Sequence, residues 1–224
     1  MNDEKVFSRR RMLEMTAGLS GLVVAGVFGA VFAQEAKRLL TPPITKGPFY
    51  PTMKPLDQDA DLTILAGNKE RALGKIVHLA GRVLDSKGQP VSGARVELWQ
   101  ANTHGRYSHP RDSNRAPLDP NFQGFGVQTT DSEGRYRFKT IKPGPYPNDP
   151  SWMRPPHLHF DVSGKVDSVV TQMFFPDEPL NEKDRIFQAL RSGKEAATAT
   201  AQPPTKELEA DSLLLLWDIV LDKG

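Results

Sequence analysis

Hydrophobic and polar positions alternate in several short stretches of the chain, which is the pattern of half-buried β-strands. The first stretch covers residues 76–84, and the second covers 91–99, where Ala94, Val96 and Leu98 share one face. Three further stretches predict strands: 135–138, 158–162 and 169–175. Turn-forming residues follow the first strand at 85–88 and precede the third at 131–134.

The remaining segments predict little helix. Residues 181–192 have the composition of one short helix, residues 193–207 predict a flexible loop, and the apolar run 212–221 fits a last strand or a short helix. Five prolines between positions 42 and 55 favour an extended backbone, so we expect residues 34–75 to form an N-terminal arm. Short strands separated by Gly- and Pro-rich turns predict an all-β fold, an antiparallel β-sandwich over residues 76–224.

The composition is that of an ordinary globular protein and excludes several kinds of chemistry. The 224 residues include 25% charged ones, and 29 Lys and Arg nearly balance 27 Asp and Glu. No basic stripe stands out, so a nucleic-acid partner is not expected. The absence of cysteine excludes disulfides, thiol nucleophiles, Cys-ligated zinc and iron–sulfur clusters. Any metal must be held by carboxylates or by the five His and four Tyr residues.

Residues 1–33 have the arrangement of an export signal. Residues 9–11 are arginines, and the eighteen residues 16–33 are uncharged, rich in Gly and Ala, and end in Ala33. This order is typical of a signal peptide, and the paired arginines resemble the bacterial twin-arginine type. We expect cleavage after Ala33 and export to the periplasm. An uncleaved membrane anchor is the alternative, with a core helix as a third interpretation.

His157 and His159 form the strongest local chemical signal. Residues i and i+2 of a strand point to the same face, so both imidazoles can reach one centre. A pair of surface or hydrogen-bonded histidines is the plainer alternative. Tyr107 and Tyr146 lie in Gly- and Pro-rich surroundings, where a tyrosine is usually half-buried with a hydrated hydroxyl. Tyr136, within a predicted strand, is assigned that ordinary packing role.

Several segments together resemble one enzyme family. They are residues 79–83, 88–102, 105–107, 119–122, 140–147, 154–160 and 171–173, with the Gly-Pro-aromatic stretch at 45–51. In order and spacing these segments resemble intradiol ring-cleavage dioxygenases, and most of all the iron-bearing beta chains of the protocatechuate 3,4-dioxygenase branch. The similarity extends from about Thr41 to Pro179.

The resemblance implies one non-haem Fe(III) ion held by Tyr107, Tyr146, His157 and His159. Phenolate oxygen is a hard anionic donor, imidazole suits iron, and a bound cation favours the deprotonated phenol. The implied reaction cleaves a catechol-type aromatic between its two hydroxylated carbons and inserts both atoms of O2. The other histidines match no ligand position and are expected at the surface or in loops: His78, His104 and His109.

The resemblance also implies three catalytic residues. Tyr146 would leave the metal when substrate binds and take a substrate proton, Arg154 would stabilise developing negative charge, and Gln172 would lie near the bound catechol. The plainer roles are a salt bridge for Arg154 and a strand hydrogen bond for Gln172. Asn148 and Phe174 depart from the family pattern around the pocket, which leaves the identity of the catechol open.

The rival hypothesis is a non-enzymatic binding module. Residues 85–94, 130–136 and 143–146 also resemble prealbumin-like and carboxypeptidase-regulatory-like β-sandwich domains, and fold alone does not decide between an enzyme and a module. The joint presence of the four ligand residues and Arg154 favours the enzyme. For the enzyme, the resemblance further implies a homo-oligomer or a second, iron-free chain as a partner.

Overall fold

The structure is a computed structural model that describes residues 38–224. The expected export signal and the beginning of the expected arm lie outside the described residues. Within residues 38–224, no helix has the length and apolar character needed to cross a membrane.

Two larger sheets and one hairpin make up the described part of the chain. The strands are β1 (Ile76–Asp85), β2 (Arg95–Trp99), β3 (Phe125–Thr129), β4 (Arg135–Ile141), β5 (Tyr146–Asp149), β6 (Trp152–Arg154), β7 (His157–Ser163), β8 (Ser168–Phe174), β9 (Thr200–Gln202), β10 (Leu213–Leu216) and β11 (Ile219–Leu221). One sheet combines β1, β4, β9, β10 and β11, the second has the order β3-β2-β7-β8, and β5 pairs with β6.

The predicted all-β sandwich is confirmed, with one departure from antiparallel pairing. β1 pairs antiparallel with β4, but it runs parallel to β10 and β11. Parallel neighbours need a long connection, and the chain between β8 and β10 supplies one that includes the helical segment. The second strand also starts later than predicted, because Gly93 turns the chain with a φ of +75°.

The hydrophobic core lies between the two larger sheets. Leu98, Leu158 and Phe160 project into it from β2 and β7, and Leu79 and Phe138 meet them from the facing sheet. All five side chains are buried, and each such burial contributes about 1.5–3 kcal/mol to folding. Alternate positions of β2 and β7 therefore build the core, as the sequence pattern predicted.

The opposite face of β2 and β7 carries different side chains. Glu97 and Trp99 alternate with the core residues of β2, and His157 and His159 do so in β7. The two-residue period of a strand turns these four side chains away from the sandwich core. Both histidines consequently lie on the outer face of the second sheet.

The segment 181–192 contains three short helical pieces where one helix was predicted. They are the 3-10 helix Pro179–Lys183, the α-helix α1 (Arg185–Ala189) and the 3-10 helix Arg191–Gly193. The Asp184 side chain accepts a hydrogen bond from the backbone N–H of Ile186 and so caps α1. The first 3-10 helix therefore ends before Asp184, and α1 begins after it.

The prediction of a loop over residues 193–207 is wrong in part. Residues Thr200–Gln202 form β9, and Ala197 and Ala199 are buried because their backbone pairs with that of Phe174. The apolar run 212–221 becomes two strands, β10 and β11. Trp217 and Asp218 separate the two strands, and the N–H of Trp217 donates to the carbonyl of Ala80.

Residues 38–75 contain no helix or strand, and part of this segment lies over the second sheet beside the histidines. The N–H of Ile44 donates to the carbonyl of Val170 at 2.8 Å, and the Thr171 hydroxyl donates to the carbonyl of Pro42 at 2.8 Å. Gly47 approaches His159 so closely that a Cβ there would lie 3.2 Å from its Cε1 atom. This segment therefore closes over the histidines.

Candidate metal centre

Four polar side chains from three parts of the chain meet in one buried cluster. The hydroxyl of Tyr107 lies 3.1 Å from Nε2 of His159, which lies 3.2 Å from Nε2 of His157. The same Nε2 of His157 lies 3.4 Å from the hydroxyl of Tyr146. All four residues are at most 7% exposed. The structure thus brings together the four residues that the resemblance implied as ligands.

β7 and its neighbours fix both imidazoles. Nδ1 of His157 lies 2.7 Å from the carbonyl of Pro155; because a carbonyl only accepts, Nδ1 carries the proton and the Nε2 lone pair faces the cluster. The cross-strand neighbour of His159 is Trp99, whose ring stacks on the imidazole. A histidine held through its second nitrogen is typical of metal ligands.

A loop held by its own polar side chains presents Tyr107. The Asn102 Oδ1 atom accepts hydrogen bonds from two backbone amides of this loop at 2.9 and 3.0 Å, and its Nδ2 donates to the carbonyl of Pro117. The backbone N–H of Tyr107 donates to Asp112 at 2.7 Å. Asn102 and Asp112 were not singled out from the sequence, although Asn and Asp commonly hold turns in this way.

Tyr146 lies at the start of β5, not in a free loop. Its cross-strand partner in the hairpin is Arg154. The turn before it packs tightly on the Tyr107 loop, since a Cβ on Gly105 would lie 2.3 Å from the carbonyl oxygen of Pro145. Glycine at this position, with a φ of +75°, therefore lets the two tyrosines approach to a ring-centroid distance of 5.6 Å.

Arg154 is buried beside the cluster with two polar partners. Its Nη2 donates to Oε1 of Gln172 at 2.7 Å and to Oδ2 of Asp184 at 3.3 Å. Gln172 is the cross-strand neighbour of His159, and its Nε2 donates to the carbonyl of Thr45 at 2.9 Å. Both plainer roles are therefore present, a salt bridge for Arg154 and a hydrogen bond for Gln172, and both are made next to the four donors.

Burial controls the protonation of the cluster. Burial, together with the charge of Arg154, lowers the pKa of His157 well below its ordinary value and that of His159 to about 3. Burial also raises the pKa of Tyr107 and that of Tyr146, and the positive charge of Arg154 opposes this by lowering both. Without a cation the four groups are therefore neutral, whereas a bound cation would favour the phenolates.

The donor set fits a hard transition-metal cation. Two imidazole nitrogens and two phenol oxygens face one point, and the imidazoles are held neutral. Within residues 38–224, no group of three or more His, Cys, Asp or Glu side chains is arranged to hold a metal, so the two phenols are essential to this set. Phenolate and imidazole are ligands that suit iron.

Aromatic rings surround the donors and limit the access of water. Phe49, from the segment over the sheet, lies 4.7 Å from the ring of Tyr107. Phe174 stacks on His157 at 6.1 Å and packs against Phe187. Phe174 therefore adds an apolar wall beside His157.

A larger groove lies elsewhere and contains none of the candidate residues. It has a volume of about 1140 Å³ and is lined in part by Arg82, Arg135 and Trp217. A smaller cavity of about 130 Å³ reaches Phe49 and Tyr107. The candidate site is identified by its nitrogen and oxygen donors, because the volume of a groove alone says nothing about metal binding.

One expectation about the other titratable aromatic side chains, that for Tyr136, is corrected. Tyr136 does not keep a hydrated hydroxyl: it is buried, and its hydroxyl donates to the carbonyl of Trp217 at 2.7 Å. His109 lies in a loop as expected but is buried against Phe49. His78 lies 2.6 Å from Glu209, in the other sheet. None of the three joins the cluster.

Fold and cluster together define a β-sandwich protein with a buried centre of two histidines and two tyrosines. The sequence matches the family Dioxygenase_C, described as Dioxygenase, over residues 45–223. The chain belongs to this family of intradiol ring-cleavage dioxygenases, as its motifs predicted.

Two curated relatives and one solved structure illustrate the similarity. A protocatechuate 3,4-dioxygenase beta chain of Burkholderia cepacia is 52% identical over 134 residues, covering 58% of this chain and 57% of the relative. A hydroxyquinol 1,2-dioxygenase of Rhizobium sp. (strain MTP-10005) is 37% identical over 128 residues, covering 51% and 42%. The catechol 1,2-dioxygenase structure from Pseudomonas arvilla C-1 superposes with a TM-score of 0.64 at 27% identity, covering 82% and 62%. The chain spans about half the length of the curated relatives it matches.

Proposed function

We propose that the protein is a non-haem Fe(III) intradiol dioxygenase that cleaves a catechol-type aromatic between its two hydroxylated carbons and inserts both atoms of O2. The observation that carries this proposal is the convergence of Tyr107, Tyr146, His157 and His159, with successive donor atoms 3.1 to 3.4 Å apart. The family membership supports it, as do the names of the relatives, which are ring-cleaving dioxygenases.

The four donors would hold the ion. Two phenolates and two neutral imidazoles would offset two of the three charges of Fe(III), which favours the ferric over the ferrous state. When bound, ferric iron would supply a Lewis-acid centre for the two oxygens of a catechol. Pro155 and Trp99 support the proposal further, because they orient the imidazoles without the ion.

Tyr146 is the donor that would move a proton. A catechol must lose hydroxyl protons to bind as a dianion, and the phenolate oxygen of Tyr146 would accept one of them. Arg154 faces Tyr146 across the hairpin, and its charge lowers the pKa of Tyr146 against the effect of burial. Tyr107 is held by its backbone and by contact with Phe49, which supports a permanent ligand role.

Arg154 and Gln172 would act on the substrate side. A buried guanidinium stabilises nearby negative charge strongly, because little water screens it. Gln172 accepts a hydrogen bond from Arg154 and donates one to the carbonyl of Thr45, so it fixes the direction of the guanidinium. Arg154 would therefore stabilise negative charge as it develops on the catechol.

No observation favours the non-enzymatic module. Burying two imidazoles, two phenols and a guanidinium costs free energy unless each finds a partner. A module that only binds a partner through its surface gains nothing from this buried cluster. Metal binding gives the same residues a shared function.

Export and assembly extend the proposal. The arginines at positions 9–11 and the uncharged run 16–33 support twin-arginine export to the periplasm, with contact to the membrane only through that segment. The Burkholderia relative is named a beta chain, which supports a homo-oligomer or a second, iron-free chain as partner.

Oxygen consumption tests the proposed reaction. Purified protein loaded with Fe(III) is given catechol, protocatechuate and hydroxyquinol in turn under ¹⁸O₂. We expect one O2 consumed per ring opened and both labelled atoms in a muconate-type product of at least one substrate. Ring-opened product carrying a single label, or no oxygen uptake with any catechol, would contradict the proposal.

A further inference from the structure

We propose that Asp184 is a positioning residue for Arg154, and that their ion pair sets the orientation in which the guanidinium acts on substrate. The inference rests on the proposed function, because it assigns a role in the same reaction. Neither the sequence pattern nor the family resemblance singled out Asp184. It precedes α1 and is fully buried.

The Asp184 carboxylate joins the β5–β6 hairpin to α1. Its Oδ1 lies 3.2 Å from Nε of Arg154 and accepts hydrogen bonds from the indole N–H of Trp152 at 3.1 Å and the backbone N–H of Ile186 at 3.3 Å. Its Oδ2 accepts from Nη2 of Arg154 at 3.3 Å. Two of the four contacts therefore go to the guanidinium.

Capping alone does not explain a carboxylate at this position. Asn, Ser and Thr cap helices about as well as Asp, without the cost of burying a negative charge. A buried charge is tolerated when a partner of opposite sign lies against it. Within residues 38–224, Asp184 is the carboxylate that forms an ion pair with Arg154, and both side chains are at most 4% exposed. The negative charge of Asp184 is therefore explained by its ion pair with Arg154 and not by its capping role.

The contacts leave one end of the guanidinium available. Asp184 lies against the edge formed by Nε and Nη2: it accepts a hydrogen bond from Nη2, while Nε is within ion-pair distance of Oδ1 without a hydrogen bond. Gln172 accepts a second hydrogen bond from Nη2. Among the side chains that the structure describes, none forms a hydrogen bond with Nη1. These contacts hold the guanidinium on one side, and Nη1 is the end that we assign to negative charge on a substrate.

The first test is the Asp184→Asn variant, which keeps the shape, the helix cap and an acceptor for Trp152. Loss of the charge frees the guanidinium to turn, and a misplacement of about 1 Å costs up to roughly 100-fold in rate. We expect kcat to fall about 10- to 100-fold, with KM changed less than about threefold and with unchanged iron content. An unchanged kcat at full iron content would overturn the proposal.

Glu178→Gln is the matched control. Glu178 also caps a short helix, through the N–H of Leu180, and also forms an ion pair, with Lys142 at 3.0 Å. Its hydrogen bonds and ion pair within residues 38–224 do not involve Arg154. We expect its kcat to stay within about twofold of the wild type, as for other changes away from the site. A loss as large as that of Asp184→Asn would mean that the effect is structural, which would overturn the proposal.

A double-variant cycle tests whether Asp184 acts through Arg154. We expect Arg154→Gln/Asp184→Asn to have a kcat no lower than Arg154→Gln alone, because the group that Asp184 positions is already gone. Its melting temperature should exceed that of Arg154→Gln, which leaves a buried carboxylate unpaired. Losses in kcat that multiply would overturn the proposal. A wild type without ring-cleaving activity would instead overturn the proposed function, and the melting temperatures would still show whether the ion pair exists.

Discussion

The indole of Trp99 lies nearly parallel to the imidazole of His159, with 5.0 Å between ring centroids and 12° between ring planes. The two residues are direct cross-strand neighbours on β2 and β7. The register of these two strands therefore determines the orientation of His159. Tyr50 packs edge-on against Trp99, with 5.0 Å between ring centroids.

Replacing this ring tests the contact. We expect Trp99→Leu to lower the free energy of unfolding by about 2–4 kcal/mol, since a large buried side chain is shortened. Ferric affinity should fall about 10- to 100-fold, as for other residues that orient a metal ligand. Trp99→Phe, which keeps a flat ring, is the control and should retain most of the affinity. Urea denaturation and a metal titration measure both effects, and equal affinities for Leu and Phe would refute the orienting role.

Replacing Gly47 tests whether the N-terminal segment over the second sheet packs closely against His159. Its φ is +71°, and an added Cβ would lie 3.2 Å from Cε1 of His159. Gly93 has a φ of +75° with no atom within 4 Å of such a Cβ. Alanine at either position should cost about 1–2 kcal/mol of stability from backbone strain. We expect only Gly47→Ala to weaken ferric binding as well, and equal binding by the two variants would contradict this contact.

Glu97 makes stability depend on acid pH. Burial alone would raise the pKa of this carboxyl, but hydrogen bonds from Lys54 and Tyr50 and the nearby Arg95 outweigh it, so the pKa is lowered. An acid with a lowered folded-state pKa stabilises the fold above its unfolded value, about 4.3 for Glu, and this stabilisation is lost as the pH falls further. We therefore expect the unfolding free energy to drop below about pH 4.3.

Tyr50→Phe provides the comparison for this pH effect. The variant removes the hydroxyl that donates to Oε2 of Glu97 at 2.7 Å and keeps the ring on Trp99. Chemical denaturation between about pH 3 and 7 should show a smaller acid-side loss than in the wild type. Identical pH profiles of the two proteins would show that this hydrogen bond does not contribute.

Export can be tested on the full chain. We expect replacement of the arginine pair, Arg9→Lys with Arg10→Lys, to retain the protein in the cytoplasm, because twin-arginine signals are read by a receptor. The matched control, Lys5→Arg, keeps the positive charge at position 5 and leaves the arginine pair intact, so it should be exported normally. Fractionation with detection of the C-terminus measures both, and normal export of the paired variant would contradict the twin-arginine interpretation.

Local sequence pattern predicted the part of the site that lies on β7. The alternation around His157 and His159 was sufficient to place both imidazoles on one face. Tyr107 lies in a loop and Tyr146 at the start of the short strand β5, and packing of the Tyr107 loop on the turn before β5 brings the two tyrosines together. No local periodicity marks either residue, so only the family resemblance identified them. Local pattern did not single out Asp184, because its burial depends on the packing of a distant hairpin.

The same limit explains the fold predictions that were wrong. Residues 193–207 have the composition of a loop, yet Ala197 and Ala199 are buried by backbone pairing with Phe174. The parallel pairing of β1 with β10 depends on the path of a long connection, which alternation along a single strand does not encode. Strand faces are local properties, whereas strand neighbours are not.

The most direct test of the metal centre is a ferric titration followed by visible absorption. The wild type should bind one Fe(III) per chain and develop a phenolate-to-iron charge-transfer band that shifts when a catechol is added. Tyr107→Phe should weaken that band and His159→Ala should lose the iron, whereas Tyr136→Phe, which changes a buried tyrosine outside the cluster, should keep both. A colourless iron-loaded wild type, or a full band in Tyr107→Phe, would contradict the assignment of these residues as ligands.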